Sequence, residues 1–246
     1  MVSRHDPAGM KKEGALAYLT AEEMAKADRE AIEDYGIDVL ALMENAGAAT
    51  AQLSKRMLGG EVQGQSVYCM VGRGNNGGDG LVAARHLHDW GAEVRVILAG
   101  ERSDLRDVPA RQMAIVDKMG IPVMESGTGL ENARLLVDAL LGYGSKGSPR
   151  EPVAGVIRRA NESKVPVLAV DIPSGMDATT GEPGEPTIAA KATVTFGLPK
   201  TGFLNPKARP YIGELYLADI SMPTRIYAAY SVNTRPFSRE SITRIW

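Results

Sequence analysis

Short runs of apolar, mostly β-branched residues alternate along this chain with longer stretches in which apolar residues recur at helical spacing. The short runs predict strands, and they cover residues 67–71, 93–98, 121–124, 135–137, 165–170, 194–200, 213–220 and, as an edge strand, 241–246. The longer stretches predict helices, and they cover residues 20–35, 38–58, 109–119, 153–162 and a stretch from residue 81 onward. Strands that alternate with helices indicate an α/β domain.

Two of the predicted helices carry signals at their N-termini. Thr20 followed by Glu23 predicts a capping box, and Asp38 predicts the cap of the second helix. The middle of that second helix, residues 43–49, is rich in alanine and glycine, which lowers helix propensity but lets another backbone come close. Asn45 in this segment either reaches a ligand or lies satisfied in a tight helix crossing.

A glycine-rich loop follows the first predicted strand and precedes the helix expected from Leu81. Gly72, Gly74 and Gly77 match the G-x-G-x-x-G spacing, which lets a backbone approach a phosphate at a helix N-terminus. The loop also carries three polar side chains that suit an ion or a polar ring: Asn75, Asn76 and Asp79. The alternative is that the two amides only form a turn and the carboxylate only caps the helix.

Two later strands each end in a carboxylate that is followed by a glycine-containing turn. Asp138 precedes the loop 142–148, in which Lys146 is placed to meet a phosphate, and Asp171 precedes Ser174. Carboxyl ends of parallel strands share one edge of a sheet, which is where open α/β sheets bind ligands. Capping explains any one of these acidic positions, whereas the glycine loop with Asp79 and these two strand ends together predict a binding site.

Composition and charge exclude several classes of protein. Apolar residues make up 44 % of the chain, and the formal net charge of −2 carries no signature of nucleic-acid binding. No apolar run is long enough to span a membrane. The one cysteine, Cys69, lies in an apolar strand, which excludes an internal disulfide and suits a reducing cytoplasm. Residues 1–14 are polar and predict a disordered leader, which leaves residues 15–246 as one domain.

Three motifs taken together, GNNGGDG, VDALLG and DIPSG, resemble the NAD(P)HX epimerase family, the YjeF N-terminal domain. The matching stretches are residues 20–31, 42–47, 71–87, 137–147, 169–175 and 196–202. The resemblance implies a Rossmann-like three-layer α/β/α sandwich with a mostly parallel central sheet, commonly a homodimer. It also implies an isomerase that interconverts the R and S epimers of NADH or NADPH hydrated at nicotinamide C6, so that a separate dehydratase can restore the cofactor.

The same resemblance implies roles for matched residues. Hard oxygen ligands suit a hard cation, and one potassium ion (K+) per subunit would be held by Asn76, Asp138 and Ser174. The catalytic acid–base group would be Asp171, beside the nicotinamide ring. The hydrated dinucleotide would contact Asp171 and two loops, whose residues are Asn75, Asn76, Gly77, Gly78, Asp79, Gly142, Tyr143, Gly144, Ser145, Lys146, Gly147 and Ser148.

Two features depart from the fullest form of this family. No kinase-like dehydratase domain is expected in the chain, and Arg73 places a bulky cation inside the glycine loop. That cation either favours the extra phosphate of NADPHX or points to solvent. We expect it to point to solvent.

Two other kinds of protein compete with the epimerase. A non-catalytic nucleotide- or RNA-binding dimer would be expected to lose the ion and acid positions, all of which are present here: Asn76, Asp138, Asp171 and Ser174. An NAD-dependent dehydrogenase would need a second catalytic domain with a histidine or lysine acid–base. His86 and His88 are instead expected to be packed or solvated on the helix after the loop, and Glu101 is expected on the surface.

Overall fold

The computed structural model describes residues 16–228, Tyr230 and residues 240–246, so the predicted leader, residues 1–14, lies outside the described residues. The strands are β1 (Ser66–Val71), β2 (Glu93–Leu98), β3 (Val123–Glu125), β4 (Leu135–Ala139), β5 (Val167–Val170), β6 (Ala192–Phe196), β7 (Glu214–Ala218) and β8 (Ile242–Arg244). The helices are α1 (Ala21–Arg29), α2 (Val39–Met57), α3 (Asn75–Asp89), α4 (Asp107–Lys118), α5 (Val153–Ser163), α6 (Arg209–Ile212) and α7 (Thr224–Ala228). In these described segments, no helix is both long and apolar enough to cross a membrane.

These eight strands of the described chain form one sheet in the order β3-β2-β1-β4-β5-β6-β7-β8. Every neighbouring pair is parallel except β7 and β8, and β8 is the predicted edge strand. The direction in which strands are added reverses between β1 and β4. In sheets of this kind, that reversal opens a crevice at the carboxyl ends of the two strands.

Side chains alternate between the two faces of the sheet, and each face has its own core. Val67, Cys69 and Val71 pack with apolar residues of α1 to α4, whereas Tyr68 and Met70 pack with α5. Helices therefore cover both faces, which confirms the predicted three-layer α/β/α sandwich. Cys69 is fully buried in the first of these cores, as expected.

The predicted helix caps are confirmed. Thr20 and Glu23 form a reciprocal capping box at the start of α1, with N–H···O distances of 3.2 and 2.8 Å. Asp38 accepts a hydrogen bond of 2.8 Å from the Leu40 N–H at the start of α2. A π-helical turn, Glu30–Asp34, extends α1 before Gly36 ends it with φ of 71°.

The prediction that a helix begins near Leu81 is wrong, because α3 already begins at Asn75. Glycines disfavour helix, but here they are needed where the helix packs closely. A Cβ at Gly78 would lie 2.4 Å from Met43 Cε, and one at Gly80 would lie 2.4 Å from Ala139 Cβ. Tertiary packing thus overrides local propensity across the first turns of α3.

The glycine-rich middle of α2 forms a tight helix crossing. A Cβ at Gly47 would lie 2.3 Å from Val82 Cβ on α3. Asn45 donates hydrogen bonds to the Ile220 carbonyl at 3.2 Å and to Ser221 Oγ at 3.1 Å. The alternative of a satisfied asparagine at a close crossing is therefore confirmed.

The predicted strand 194–200 is too long at its carboxyl end. β6 ends at Phe196, and Gly197 follows with φ of 66°, a conformation that breaks the strand. Residues 197–200 consequently turn over the sheet edge and bring Lys200 back towards the ends of β5 and β6. The other strand and helix predictions agree with the structure to within two residues at nearly every end.

Candidate active site

A cleft of about 1380 Å³ opens at the carboxyl ends of β1, β4 and β5, where the strand order reverses. Its walls come from α1, the loop after β1, the start of α3, and the long loop between β4 and α5. Pockets for drug-sized ligands measure roughly 300–1,000 Å³. The cleft therefore has room for a ligand as large as a dinucleotide.

Asp171 lies directly after β5 and lines this cleft while only 5 % exposed. Its φ of 67° is unusual for a residue other than glycine and directs the chain sharply away from the strand. Both carboxylate oxygens have protein donors. Oδ2 accepts the Tyr143 N–H at 3.2 Å, and Oδ1 accepts from Lys200 Nζ and, at 3.5 Å, from Thr195 Oγ1.

Lys200 is the main site residue that sequence reasoning missed. Its side chain is 1 % exposed, and its ammonium group forms an ion pair with Asp171 and donates to Thr195 Oγ1 at 2.9 Å. Sequence reasoning placed Lys200 at the end of a strand and assigned it no role. The available signal was a single cation within an apolar, glycine-containing stretch, FGLPKTG.

A second carboxylate, Asp28 of α1, meets the loop that follows β4. The Tyr143 hydroxyl donates to Asp28 Oδ2 at 2.6 Å. Burial raises the pKa of Asp28, while the Tyr143 hydrogen bond and the charge of Lys200 oppose this rise. Burial, followed by the charge of Asp28, raises the pKa of Tyr143. Tyr143 thereby joins Asp28 to Asp171, through its hydroxyl on one side and its N–H on the other.

Asp79 supplies a third carboxylate from α3 and lines the same cleft. Burial raises its pKa well above the usual range, and the charges of Asp171 and Asp28 raise it further. The neutral form of Asp79 is therefore favoured. It is an interior residue of α3 and not the helix cap, because the cap position is Gly74.

Five cations lie at the exposed rim of the cleft: Arg29, Arg73, Arg106, Lys146 and Arg150. Within the described part of the chain, none of them forms an ion pair at 4.0 Å or less. Two exposed acids, Asp104 and Glu151, also line the cleft, so the rim carries an excess of positive charge, and the other carboxylates lie deeper inside. Arg73 is exposed, as expected, but it lies at this rim.

Of the three residues predicted to hold potassium, Asp138 and Ser174 are hydrogen-bonded to each other, and Asn76 lies beside Gly142 in the lining of the cleft. Asp138 is fully buried and accepts from the Ser174 N–H at 2.8 Å, from Ser174 Oγ at 2.6 Å and from the Leu140 N–H at 3.3 Å. All three donors are neutral, and burial raises the Asp138 pKa to about 6. Asn76 is 8 % exposed, and neither its amide oxygen nor its amide nitrogen has a hydrogen-bond partner among the described residues.

This arrangement fits a hard monovalent cation. A buried carboxylate without a basic partner and a buried amide oxygen without a donor both lack what a cation would provide. In the described residues, no group of three or more His, Cys, Asp or Glu side chains is placed to hold a metal ion. The oxygen donors available here are an amide, a carboxylate and a hydroxyl, which suit potassium better than a transition metal.

Most of the residues predicted to contact the dinucleotide line the cleft, but two of them, Gly77 and Gly78, do not. The lining residues are Asn75, Asn76, Asp79, Gly142, Tyr143, Gly144, Ser145, Lys146, Gly147, Ser148 and Asp171. Gly77 and Gly78 are buried in the packing of α3. Glu101 is exposed outside the cleft, and His86 contacts Glu44 at 2.8 Å on the flank of α3, away from it.

The fold and cleft together define an open, doubly wound α/β domain with a ligand site at its switch point. Residues 39–202 match the family described as YjeF-related protein N-terminus, and the chain belongs to this family. The crystal structure of the yeast protein ynu0 is similar to this fold, with a TM-score of 0.81 and 27 % sequence identity. That match covers 94 % of this chain and 100 % of the yeast chain.

Two relatives illustrate the similarity in sequence. A protein of Rhodopirellula baltica named NAD(P)H-hydrate epimerase is 36 % identical over 222 residues, which cover 88 % of this chain and 89 % of that protein. A protein of Moorella thermoacetica named Bifunctional NAD(P)H-hydrate repair enzyme Nnr is 38 % identical over 237 residues. That alignment covers 93 % of this chain but 44 % of the bifunctional protein, so the chain spans less than half the length of that relative.

Proposed function

We propose that this chain is an NAD(P)H-hydrate epimerase, an isomerase that interconverts the R and S epimers of NADHX and NADPHX. One observation carries the proposal. Asp171 is a buried carboxylate, held by a buried ammonium group, at the wall of a dinucleotide-sized cleft. The names of relatives that match nearly end to end, such as that from Rhodopirellula baltica, support the same reaction.

The distribution of charge supports a dinucleotide as the ligand. The cations at the rim would meet the phosphates, which are anionic, and the exposed loop 142–148 would cover them. The hydrated nicotinamide ring carries no such charge and would lie deeper, beside Asp171 and Asp79. The ligand is thereby oriented with its reacting ring at the carboxylates.

Inversion at C6 requires one bond at that carbon to break and to form again from the other face. Asp171, paired with Lys200, would act as the proton acceptor, and Asp79, whose neutral form is favoured, would act as the proton donor. In one route the C6 hydroxyl leaves as water and water adds to the opposite face. In the other the C6–N1 bond opens to an aldehyde and closes again, and either route returns every atom to the product.

We extend the proposal to one potassium ion per subunit, held by Asn76, Asp138 and Ser174. When bound, this ion supplies a positive charge that compensates the buried Asp138. Ser174 Oγ also accepts the Leu141 N–H at 2.9 Å, so the same hydroxyl connects the ion site to the loop after β4. The ion site and the wall of the cleft would therefore be ordered together.

The test is an epimerisation assay on the purified chain. R-NADHX and R-NADPHX are supplied in potassium buffer, and conversion to the S epimers is followed chromatographically. We expect conversion above the spontaneous rate and a loss of at least about 100-fold in kcat for Asp171→Asn. Glu101→Gln, which changes an exposed acid outside the cleft, should leave kcat unchanged.

Two outcomes would contradict the assignment. Wild-type protein that does not exceed the spontaneous rate, yet melts at a higher temperature with the hydrates, would favour a non-catalytic binding module. Full activity in Asp171→Asn would show that Asp171 is not the catalytic acid–base group.

Oxygen exchange from labelled water into the C6 hydroxyl distinguishes the two routes, because only loss and re-addition of water must incorporate the label.

The partners implied by the family are further proposals. We propose that a dehydratase consumes one of the two epimers, in agreement with the bifunctional repair enzymes among the relatives. The homodimer and the cytoplasmic location stay predictions.

A further inference from the structure

Lys200 is a buried ammonium group whose position the proposed chemistry does not yet explain. Lysine is almost never fully buried unless it is paired, since its charge loses water. Here the side chain is 1 % exposed and Asp171 is its ionic partner. Its other acceptors are neutral: Thr195 Oγ1 at 2.9 Å and the Phe196 carbonyl at 3.4 Å.

The backbone around Lys200 is fixed from both sides by the segment before α1. The Leu19 N–H donates to the Pro199 carbonyl at 2.8 Å, and the Thr201 N–H donates to the Leu19 carbonyl at 2.8 Å. The residue that carries the ammonium group thus lies between two backbone hydrogen bonds to Leu19. A surface loop would not position a flexible four-carbon side chain so tightly.

Three elements around Asp171 bring polar groups towards it. Asp28 of α1 and Asp79 of α3 line the same cleft as Asp171. Tyr143 offers one neutral N–H to Oδ2, and its ring lies 5.9 Å from Lys200 Nζ. Among the described residues, Lys200 is the basic side chain that contacts the carboxylate.

We propose that Lys200 is a positioning residue for epimerisation, which pairs with Asp171 and holds its carboxylate in one orientation towards the hydrated nicotinamide ring. In this role Lys200 donates no hydrogen bond to substrate and acts through Asp171. The inference rests on the proposed function. It follows from the hydrogen bonds to the two oxygens of the Asp171 carboxylate. Lys200 and Thr195 donate to Oδ1 and the Tyr143 N–H donates to Oδ2, so the orientation of the carboxylate plane is fixed.

The test compares Lys200→Ala with Lys207→Ala, a matched lysine that is 68 % exposed and paired with Glu182. For Lys200→Ala we expect kcat to fall at least about 100-fold, because acid–base assistance is typically worth that much. KM should change by less than about threefold, since Lys200, although it lines the cleft, is 1 % exposed and directs its ammonium group to acceptors of the protein. Lys207→Ala should match wild type in both constants.

Added n-propylamine should restore part of the lost kcat of Lys200→Ala, because it replaces the missing carbons and the ammonium group, while n-propanol should restore none. Restoration by both compounds would mean that only volume was lost, and this would overturn a role for the charge. A kcat within about threefold of Lys207→Ala, or a loss found in KM alone, would overturn the inference as well.

A milder variant keeps the inference testable if Lys200→Ala does not fold. Thr195→Val is nearly isosteric and removes the hydroxyl that lies between Lys200 and Asp171. We expect kcat to fall about 10-fold with KM unchanged, as for one hydrogen bond to a charged group, and an unchanged kcat would contradict the inference. Inactive wild-type protein would overturn the proposed function and this inference together, whereas active wild type with unaffected variants would overturn the inference alone.

Discussion

Gly77→Ala should destabilise the fold far more than Gly74→Ala, although both glycines belong to one G-x-G-x-x-G motif. A Cβ at Gly77 would lie 1.9 Å from the Gly72 carbonyl oxygen, whereas a Cβ at Gly74 would meet no atom within 4 Å. Gly72 has no room to retreat. Its N–H is bonded to the Ala139 carbonyl at 3.0 Å, and its own Cβ position lies 1.9 Å from the Leu140 carbonyl oxygen.

The magnitude follows from that contact. The new methyl group and the Gly72 oxygen must separate by roughly 1.5 Å to reach an ordinary contact distance, and backbone must move on both sides. Overpacking usually costs about 1–3 kcal/mol, and backbone on both sides places this case near about 3 kcal/mol. For a chain of this size, Tm should fall by about 6–12 °C.

Gly74→Ala is the matched control. Gly74 has φ of −95°, which alanine adopts without strain. Its loss as the N-cap of α3 is offset by the reduced entropy of the unfolded chain, so the net effect should stay within about 1 kcal/mol. Thermal unfolding followed by circular dichroism in one potassium buffer measures both. If Gly77→Ala melts within about 3 °C of Gly74→Ala, the close approach of Gly72 and Gly77 is refuted.

Two further predictions concern the proposed potassium site. The native state holds the Asp138 proton more tightly than the unfolded chain, because burial raises that pKa to about 6. Without a cation, the contribution of this protonation to the free energy of unfolding is fully present below about pH 4. It is lost as the pH rises through about 6, and the loss amounts to up to about 3 kcal/mol. Potassium should therefore raise Tm more at pH 7.5 than at pH 5. Equal rises in Tm at the two pH values would contradict this prediction, and so would an equal rise when tetramethylammonium replaces potassium. Asn76→Ala should leave Tm unchanged or higher in potassium-free buffer, because its amide has no partner among the described residues, and should abolish the potassium-dependent rise; a large loss of Tm without potassium would reveal a protein partner.

The positions of Asp138 and Asp171 were predictable because Asp138 lies near the carboxyl end of β4 and Asp171 directly follows β5, and both strands are apolar. Parallel strands bring their carboxyl ends to one edge, so residues that follow them meet without any knowledge of the packing. The resemblance to a family then gave matched residues their expected roles. The structure joins Asp138 to Ser174 by hydrogen bonds and places Asn76 beside Gly142. Those roles stay predictions until ion and ligand binding are measured.

The glycine loop shows where local pattern misled. Glycines at positions 77, 78 and 80 argued for an extended loop, yet they lie within α3 because the helix packs closely against β1, α2 and β4. Helix propensity is a weak preference that packing overrides. Gly77 and Gly78 were also assigned to the ligand. They pack closely against Gly72 and Met43 and do not line the cleft, and their contact with the ligand stays a prediction.

By itself, the sequence determined the α/β class, the order of its elements and the acidic ends of its strands, because these depend on hydrophobic period and on turn residues close along the chain. Only the tertiary structure decided what surrounds Asp171. Lys200 is separated from it by 29 residues, and Asp28 is separated from Tyr143 by 115. No spacing rule predicts such contacts, since they arise from how β6 ends at Gly197 and from where α1 packs over the edge of the sheet.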